Sequence, residues 1–173
     1  MVTSLPTGHQ LRRMWTPSTV YLNKMRNINR VILHCSATAE GDDIDADTIR
    51  AWHISPPRNW SDIGYHYVVR LDGTIETGRP ISRPGAHVRG HNKDSVGICY
   101  VGGLDYSGKP KNTMTPEQRE SIKRICRALC HVLNKPLALH GHREYSAKAC
   151  PSFEVSEVFS SLQDWMGCPD IGA

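Results

Sequence analysis

The segment His142-Arg143-Glu144-Tyr145-Ser146-Ala147-Lys148-Ala149-Cys150-Pro151 places an imidazole and a thiol at the two ends of a short polar loop. Histidine and cysteine hold zinc in proteins, one through a ring nitrogen and the other through a thiolate. Lys148 stands two positions before Cys150, and in extended chain such residues face the same way. A further ligand has to come from elsewhere, and the best-placed residue is His34, which closes the apolar run Val31-Ile32-Leu33. Three protein ligands with one open position is the catalytic zinc arrangement, whereas four is the structural one. Two neutral imidazoles and one thiolate leave a net positive charge on a divalent ion, which brings the pKa of bound water to about 7. Lys148 is then placed to stabilise an oxyanion, and Tyr65 to hydrogen-bond the water or the intermediate and pass a proton.

Residue types alone leave other readings open. His34 can be a hydrogen-bonded strand-end histidine, and Cys150 an inert buried thiol. Lys148 can be a solvated surface charge, and Tyr65 a strand aromatic in the core.

The elements that must bring these residues together follow from periodicity. Asn29 to Cys35 is β-branched and continuously apolar, which predicts a buried strand. It carries His34 at its C-terminal end, where open α/β sheets place ligands. Asp45 predicts an N-cap for a helix to about Ile54, closed by Pro56-Pro57. Ile49, Trp52 and His53 share one face of that helix. Tyr65 to Leu71 and Thr74 to Gly78 read as a hairpin about Asp72-Gly73. Ile81 to Asn92, with Pro84 and two histidines, is too punctuated for a plain turn and is expected to rim something.

Ser95 to Val101 reads as a central strand. Loops are expected over 36–43 and 102–114. Thr115-Pro116-Glu117-Gln118 carries both a capping box and a first-turn proline. Ile122, Ile125, Leu129 and Leu133 continue it as an apolar helical stripe, with Cys126 and Cys130 beside that stripe. Leu137 to His140 is a short strand, and Glu154 to Met166 a closing helix with Val155, Val158, Phe159, Leu162 and Trp165 inward. The order β-α-β-β-β-α-β-α predicts a mixed sheet with helices on both faces.

Composition sets wider bounds. The chain has 173 residues, 39% hydrophobic and 22% charged, as expected for one globular domain. The net charge of +4 suits an anionic surface but is too weak to argue for nucleic acid. No apolar run reaches the roughly 18 residues of a transmembrane helix, and the first residues lack the apolar core of a secretory signal. Cys35, Cys99, Cys126, Cys130, Cys150 and Cys168 show no disulfide rhythm, which points to synthesis in a reducing compartment. Residues 1–27 are basic, with Arg12, Arg13, Lys24 and Arg26 and no acid. They read either as a leader packed on the surface or as a basic arm that touches anionic lipid or polymer.

Four stretches together carry a family resemblance: Val31-Ile32-Leu33-His34-Cys35-Ser36-Ala37-Thr38, Asp62-Ile63-Gly64-Tyr65-His66-Tyr67, Pro84-Gly85-Ala86-His87-Val88 and Lys148-Ala149-Cys150-Pro151-Ser152-Phe153. In this order, from about Asn29 to Phe159, the chain resembles the zinc N-acetylmuramoyl-L-alanine amidases of bacteriophage lysis, which share a fold with the peptidoglycan recognition proteins. The resemblance implies an α/β single domain with a central mixed β-sheet flanked by helices on both faces. It implies one Zn2+ per chain, held by His34, His142 and Cys150, with Tyr65 and Lys148 as the catalytic pair. The reaction implied is hydrolysis of the amide between the lactyl group of N-acetylmuramic acid and L-alanine in peptidoglycan. His87 is expected to line the substrate groove, joined by Asn92, Trp52 and His53, although Trp52 and His53 also suit helix-face packing.

By the same resemblance residues 28–173 form the catalytic domain and 1–27 a basic extension. A monomer is expected, with peptidoglycan and not nucleic acid as partner. It would be made in the host cytoplasm without a signal peptide and released to the cell wall through a membrane pore. Two alternatives stand beside this reading: a recognition module that binds peptidoglycan without hydrolysis, and an amidase that also inhibits an RNA polymerase. The sequence departs from the family in its longer leader. It also departs from the cytosolic muropeptide-recycling relatives, which carry a glutamate at the strand matching Gly97-Ile98-Cys99 and an aspartate as third ligand. Without that carboxylate, the proton work falls to Tyr65 and the bound water.

Overall fold

The structure is a computed structural model and describes residues 25–159. The apolar run forms strand β1 (Arg30–Cys35), with every residue from Val31 onward buried. There follow β2 (Thr38–Ala39), α1 (Ala46–Ile54), β3 (Tyr67–Val69), β4 (Ile75–Thr77), β5 (Ser95–Tyr100) and β6 (Gly103–Leu104). The chain continues through α2 (Pro116–Leu133), β7 (Ala138–Gly141), a 3-10 turn (His142–Glu144) and α3 (Val155–Val158). The main sheet has the order β4-β3-β5-β1-β7. All its pairings are parallel except β3 with β4. The two innermost strands, β5 and β1, are the continuously apolar ones, as strands covered on both faces should be.

Alternation of side chains along these strands divides the core. Val31, Leu33 and Cys35 of β1 and Val96, Ile98 and Tyr100 of β5 pack with Ile122, Ile125, Cys126 and Leu129 of α2. On the opposite face Cys99 and Val101 pack with Ala46 and Ile49 of α1, Ile63 and Val68. Helices on both faces of a mixed sheet are thus what the residue pattern predicts. Burying side chains such as Ile122 and Leu129 contributes roughly 1.5–3 kcal/mol each, so the α2 stripe is a main anchor of the fold.

The caps explain where the helices begin. The Asp45 side chain accepts from Thr48 N at 2.8 Å, a bond that satisfies a free N–H of the first turn. Thr115 and Gln118 form the expected capping box, with Pro116 in the first turn. Gln118 is fully buried, and its amide nitrogen donates to the Val69 carbonyl at 3.1 Å and the Val101 carbonyl at 2.9 Å. The cap therefore also ties α2 to the ends of β3 and β5. Asn134 ends the helix in the left-handed conformation at φ 51°, a frequent way to terminate one.

Some boundaries differ from expectation. Ladder pairing in β3 begins at Tyr67, so Tyr65 precedes the strand. The loops expected over 36–43 and 102–114 meet in a small parallel ribbon of β2 and β6, too short to show in periodicity. Of the closing helix, Val155 and Phe159 are buried as expected, while Leu162, Trp165 and nearly all of the 1–27 extension lie outside the described residues. No described helix is long and apolar enough to cross a membrane.

Candidate active site

Strand register brings the two histidines together. The parallel pairing of β1 with β7 sets Leu33 opposite Gly141, so the next residues, His34 still within β1 and His142 just past the end of β7, stand side by side. Their ring centroids are 4.6 Å apart. The chain then turns back on itself, with Arg143 N donating to the Cys150 carbonyl at 2.7 Å. This return places Cys150 Sγ 3.8 Å from His34 Nδ1, where it accepts from Cys35 N at 3.3 Å. The Tyr100 hydroxyl donates to the Pro151 carbonyl at 2.7 Å, and Ser152 Oγ donates to the Gly103 carbonyl at 2.7 Å. Both bonds pin the loop just past the thiol.

The donor atoms of His34, His142 and Cys150 lie within 4.8 Å of one another. Two donors on one tetrahedral ion with zinc–nitrogen and zinc–sulfur bond lengths stand about 3.6 Å apart, close to the 3.8 Å found between His34 Nδ1 and Cys150 Sγ. The three side chains can hold a metal ion, and the mixed nitrogen and sulfur set suits zinc. Burial, aided by the charges of His87, His142 and Lys148, holds His34 well below the usual histidine range. Burial and then Lys148 lower His142. Both rings are therefore neutral, the form that ligates. The hydrogen bond with Cys35, together with burial, pushes the Cys150 thiol up, so a cation is what would make it a thiolate at neutral pH.

Tyr65 presents its ring 5.0 Å from that of His34. Burial raises its hydroxyl well above the ordinary tyrosine value, so it keeps its proton and serves as a donor. Lys148 is exposed at the edge of a groove of about 470 Å³, which is also lined by Trp60, His87, Asn92, His142 and Tyr145. The site thus opens onto a groove with two cations, Lys148 and Arg89, and two aromatic walls, Trp60 and Tyr145.

His87 approaches His34 from the side away from Cys150. His34 Nε2 is 3.0 Å from His87 Nδ1, and His87 Nε2 is 3.3 Å from Ser95 Oγ. Burial is the main cause that lowers His87 to about 3. Asn92 Oδ1 accepts from the backbone N–H groups of His87 and Val88, both at 2.9 Å, and so shapes the turn that presents His87. Trp52 and His53 are not brought into the groove. Trp52 is 41% exposed, whereas His53 is buried behind Tyr65, with ring centroids 5.4 Å apart, and accepts from Gly64 N at 3.0 Å.

Sequence reasoning passed over Trp60, Tyr145 and Ser146 as groove residues. Trp60 follows the Pro56-Pro57 stop in a polar loop, where an aromatic residue is the available signal. Cys99 stands opposite His34 in the β1–β5 register. It is fully buried, and burial raises its thiol well above the ordinary value, so it does not replace a carboxylate.

The fold and this cluster define a class. Residues 24–153 match the Amidase_2 family, N-acetylmuramoyl-L-alanine amidase, and the chain belongs to that family. It is 38% identical over 136 residues to the endolysin of Enterobacteria phage K11, spanning 79% of this chain and 88% of that protein. The solved N-acetylmuramoyl-L-alanine amidase LysC from Clostridium intestinale URNW matches with a TM-score of 0.66 and 28% identity, over 81% of this chain and 87% of LysC. Bumblebee PGRP-SA shares the fold, with a TM-score of 0.65 at 24% identity over 91% of this chain and 96% of its own. The chain is accordingly a peptidoglycan amidase of the phage endolysin type.

Proposed function

We propose that this amidase depends on zinc and cuts the amide between the lactyl group of N-acetylmuramic acid and L-alanine of the stem peptide, as an endolysin in host-cell lysis. The supporting observation is the convergence of His34, His142 and Cys150, which come from a strand end, a 3-10 turn and a loop, to within 4.8 Å. A bound zinc ion would supply Lewis acidity to the substrate carbonyl and lower the pKa of a coordinated water. Lys148 offers a fixed cation to the oxygen on which negative charge develops. Tyr65, protonated at neutral pH, donates a hydrogen bond to the same region and can return a proton to the leaving amine. His87, Asn92, Trp60 and Tyr145 bound the groove that orients the glycan-linked peptide. Neutral His34 and His142 place no competing proton where the cation sits.

The test is digestion of purified sacculi followed by mass spectrometry. Intact stem peptides should be released, chelator should stop the release, and zinc should restore it. Cys150→Ser should lower activity by more than about 100-fold, beyond the loss that follows removal of an outer hydrogen-bond partner. Sacculi that gain reducing sugar ends without free stem peptides would refute the assignment. Stoichiometric zinc with no turnover would favour a recognition module.

On this reading residues 28–173 form a monomeric catalytic domain, and the basic 1–27 stretch is an arm for the anionic envelope, apart from Arg26, whose guanidinium donates to the Ile81, Asn92 and Lys93 carbonyls of the domain. The enzyme would be made in the host cytoplasm and reach the wall through a membrane pore. Deletion of residues 1–25 should leave activity on isolated sacculi intact and reduce it on whole cells. Equal activity on whole cells would remove the arm from the account.

A further inference from the structure

Ser95 Oγ lies 2.6 Å from the His91 carbonyl oxygen. A carbonyl only accepts, so the single hydroxyl proton of Ser95 points there. Toward His87 Nε2, at 3.3 Å, Ser95 then offers only a lone pair. That nitrogen must carry the ring hydrogen, which leaves Nδ1 of a neutral His87 bare. His87 Nδ1 faces His34 Nε2 at 3.0 Å, so His34 donates from Nε2. The remaining His34 nitrogen, Nδ1, is the one 3.8 Å from Cys150 Sγ. The direction of every bond in this chain follows from the His91 carbonyl.

The His87 ring is also closed in by backbone. A Cβ at Gly85 would stand 2.4 Å from its Cδ2, and one at Gly97 would stand 2.7 Å from its Cγ and Cδ2. Two positions without side chains leave room for this ring, which fixes the acceptor as well as the hydrogen.

We infer that Ser95 and His87 are positioning residues that hold His34 as the Nε2–H tautomer, with its Nδ1 lone pair aimed at the metal position. This inference rests on the zinc reading of His34, His142 and Cys150. The opposite tautomer would direct an N–H toward the Cys150 sulfur and have to be undone before ligation. Without His87, the His34 Nε2–H would be left without an acceptor in a residue only 1% exposed, the kind of loss that weakens metal sites through the outer shell.

The experiment is long-range 15N NMR of histidine-labelled protein, metal-free and zinc-loaded, with zinc affinity measured by chelator competition. Both His34 and His87 should be Nε2–H in the metal-free protein. His87→Leu should lower zinc affinity roughly 10- to 100-fold and admit the Nδ1–H form of His34. His87→Asn, whose side-chain oxygen can stand near the place of Nδ1, should recover most of the affinity. An Nδ1–H form of either ring in the wild-type protein would overturn the inference, and so would equal losses for leucine and asparagine, which would indicate packing alone. If His87→Leu fails to fold, the wild-type tautomers decide. If wild type binds no zinc, the metal reading fails, while the metal-free spectrum still judges the relay.

Discussion

Gly97→Ala is the sharpest structural test. Gly97 does not have the left-handed backbone that favours glycine, so alanine suits its conformation. In such a place Gly→Ala ordinarily stabilises, by about 0.4–1 kcal/mol through the unfolded chain. Here the new Cβ would lie 2.7 Å from His87 Cγ and Cδ2 and 2.9 Å from Nε2, where carbon atoms prefer about 3.5 Å or more. The ring would have to withdraw by roughly 0.8 Å, which carries its 3.0 Å contact with His34 toward the limit of hydrogen bonding. Overpacking of this kind costs about 1–3 kcal/mol, or a fall in Tm of roughly 2–10 °C for a chain of this size. The assay is thermal and urea unfolding of metal-free protein, for each single variant and for Gly97→Ala with His87→Ala. Removing the ring should abolish the penalty, giving a coupling energy of about 1–3 kcal/mol. A stable Gly97→Ala protein, or a penalty of the same size with and without the ring, would refute the packing argument.

Lys148→Ala should reduce kcat by about 100- to 1000-fold, the usual cost of losing a group that stabilises a developing oxyanion. Its zinc content by elemental analysis should be unchanged, because Lys148 is not a ligand. A second expectation concerns His66, which is buried and receives Gly97 N at Nδ1, 2.9 Å away, and whose Nε2 stands 3.0 Å from the Arg83 carbonyl. Burial lowers this histidine to about 4. The unfolded chain binds the proton more readily, so the contribution is complete above about pH 6.5 and is lost as pH falls toward 4, by about 3 kcal/mol in all. Urea unfolding across that range should show a slope summed over His66 and the other buried histidines lowered with it, and His66→Gln should reduce the total loss by the His66 share of about 3 kcal/mol. An identical slope in the variant would place the acid sensitivity elsewhere.

Most of this architecture was readable from residue order. Continuous apolar runs located β1 and β5, and the Thr115–Gln118 box located the start of α2, because those signals are local. His34, His142 and Cys150 were legible as a candidate ligand set chiefly through the four family stretches, because residue type and spacing alone left His34 and Cys150 an ordinary structural reading. What stayed hidden depended on tertiary approach. That Leu33 pairs with Gly141, and so sets His34 beside His142, is a matter of register between strands over 100 residues apart in sequence. The burial of His53 behind Tyr65 and the exposure of Trp52 reflect how α1 is rolled on the sheet, which one helical face cannot reveal. The contact of His87 with His34 required the conformation of a long loop, for which periodicity carries no information.

The Tyr100 hydroxyl has a consequence of its own. It belongs to the α2-side core, yet it donates to the carbonyl of Pro151, one residue past the Cys150 thiol of the candidate metal site. The buried half of the molecule thereby acts as a jig for the working half. An exchange such as phenylalanine at this position, silent by size and greasiness, would leave a well-folded protein whose sulfur sits less firmly in place. Tolerance of change in this interior is accordingly set by how well it clamps the loop that carries Cys150, as well as by how well it fills space.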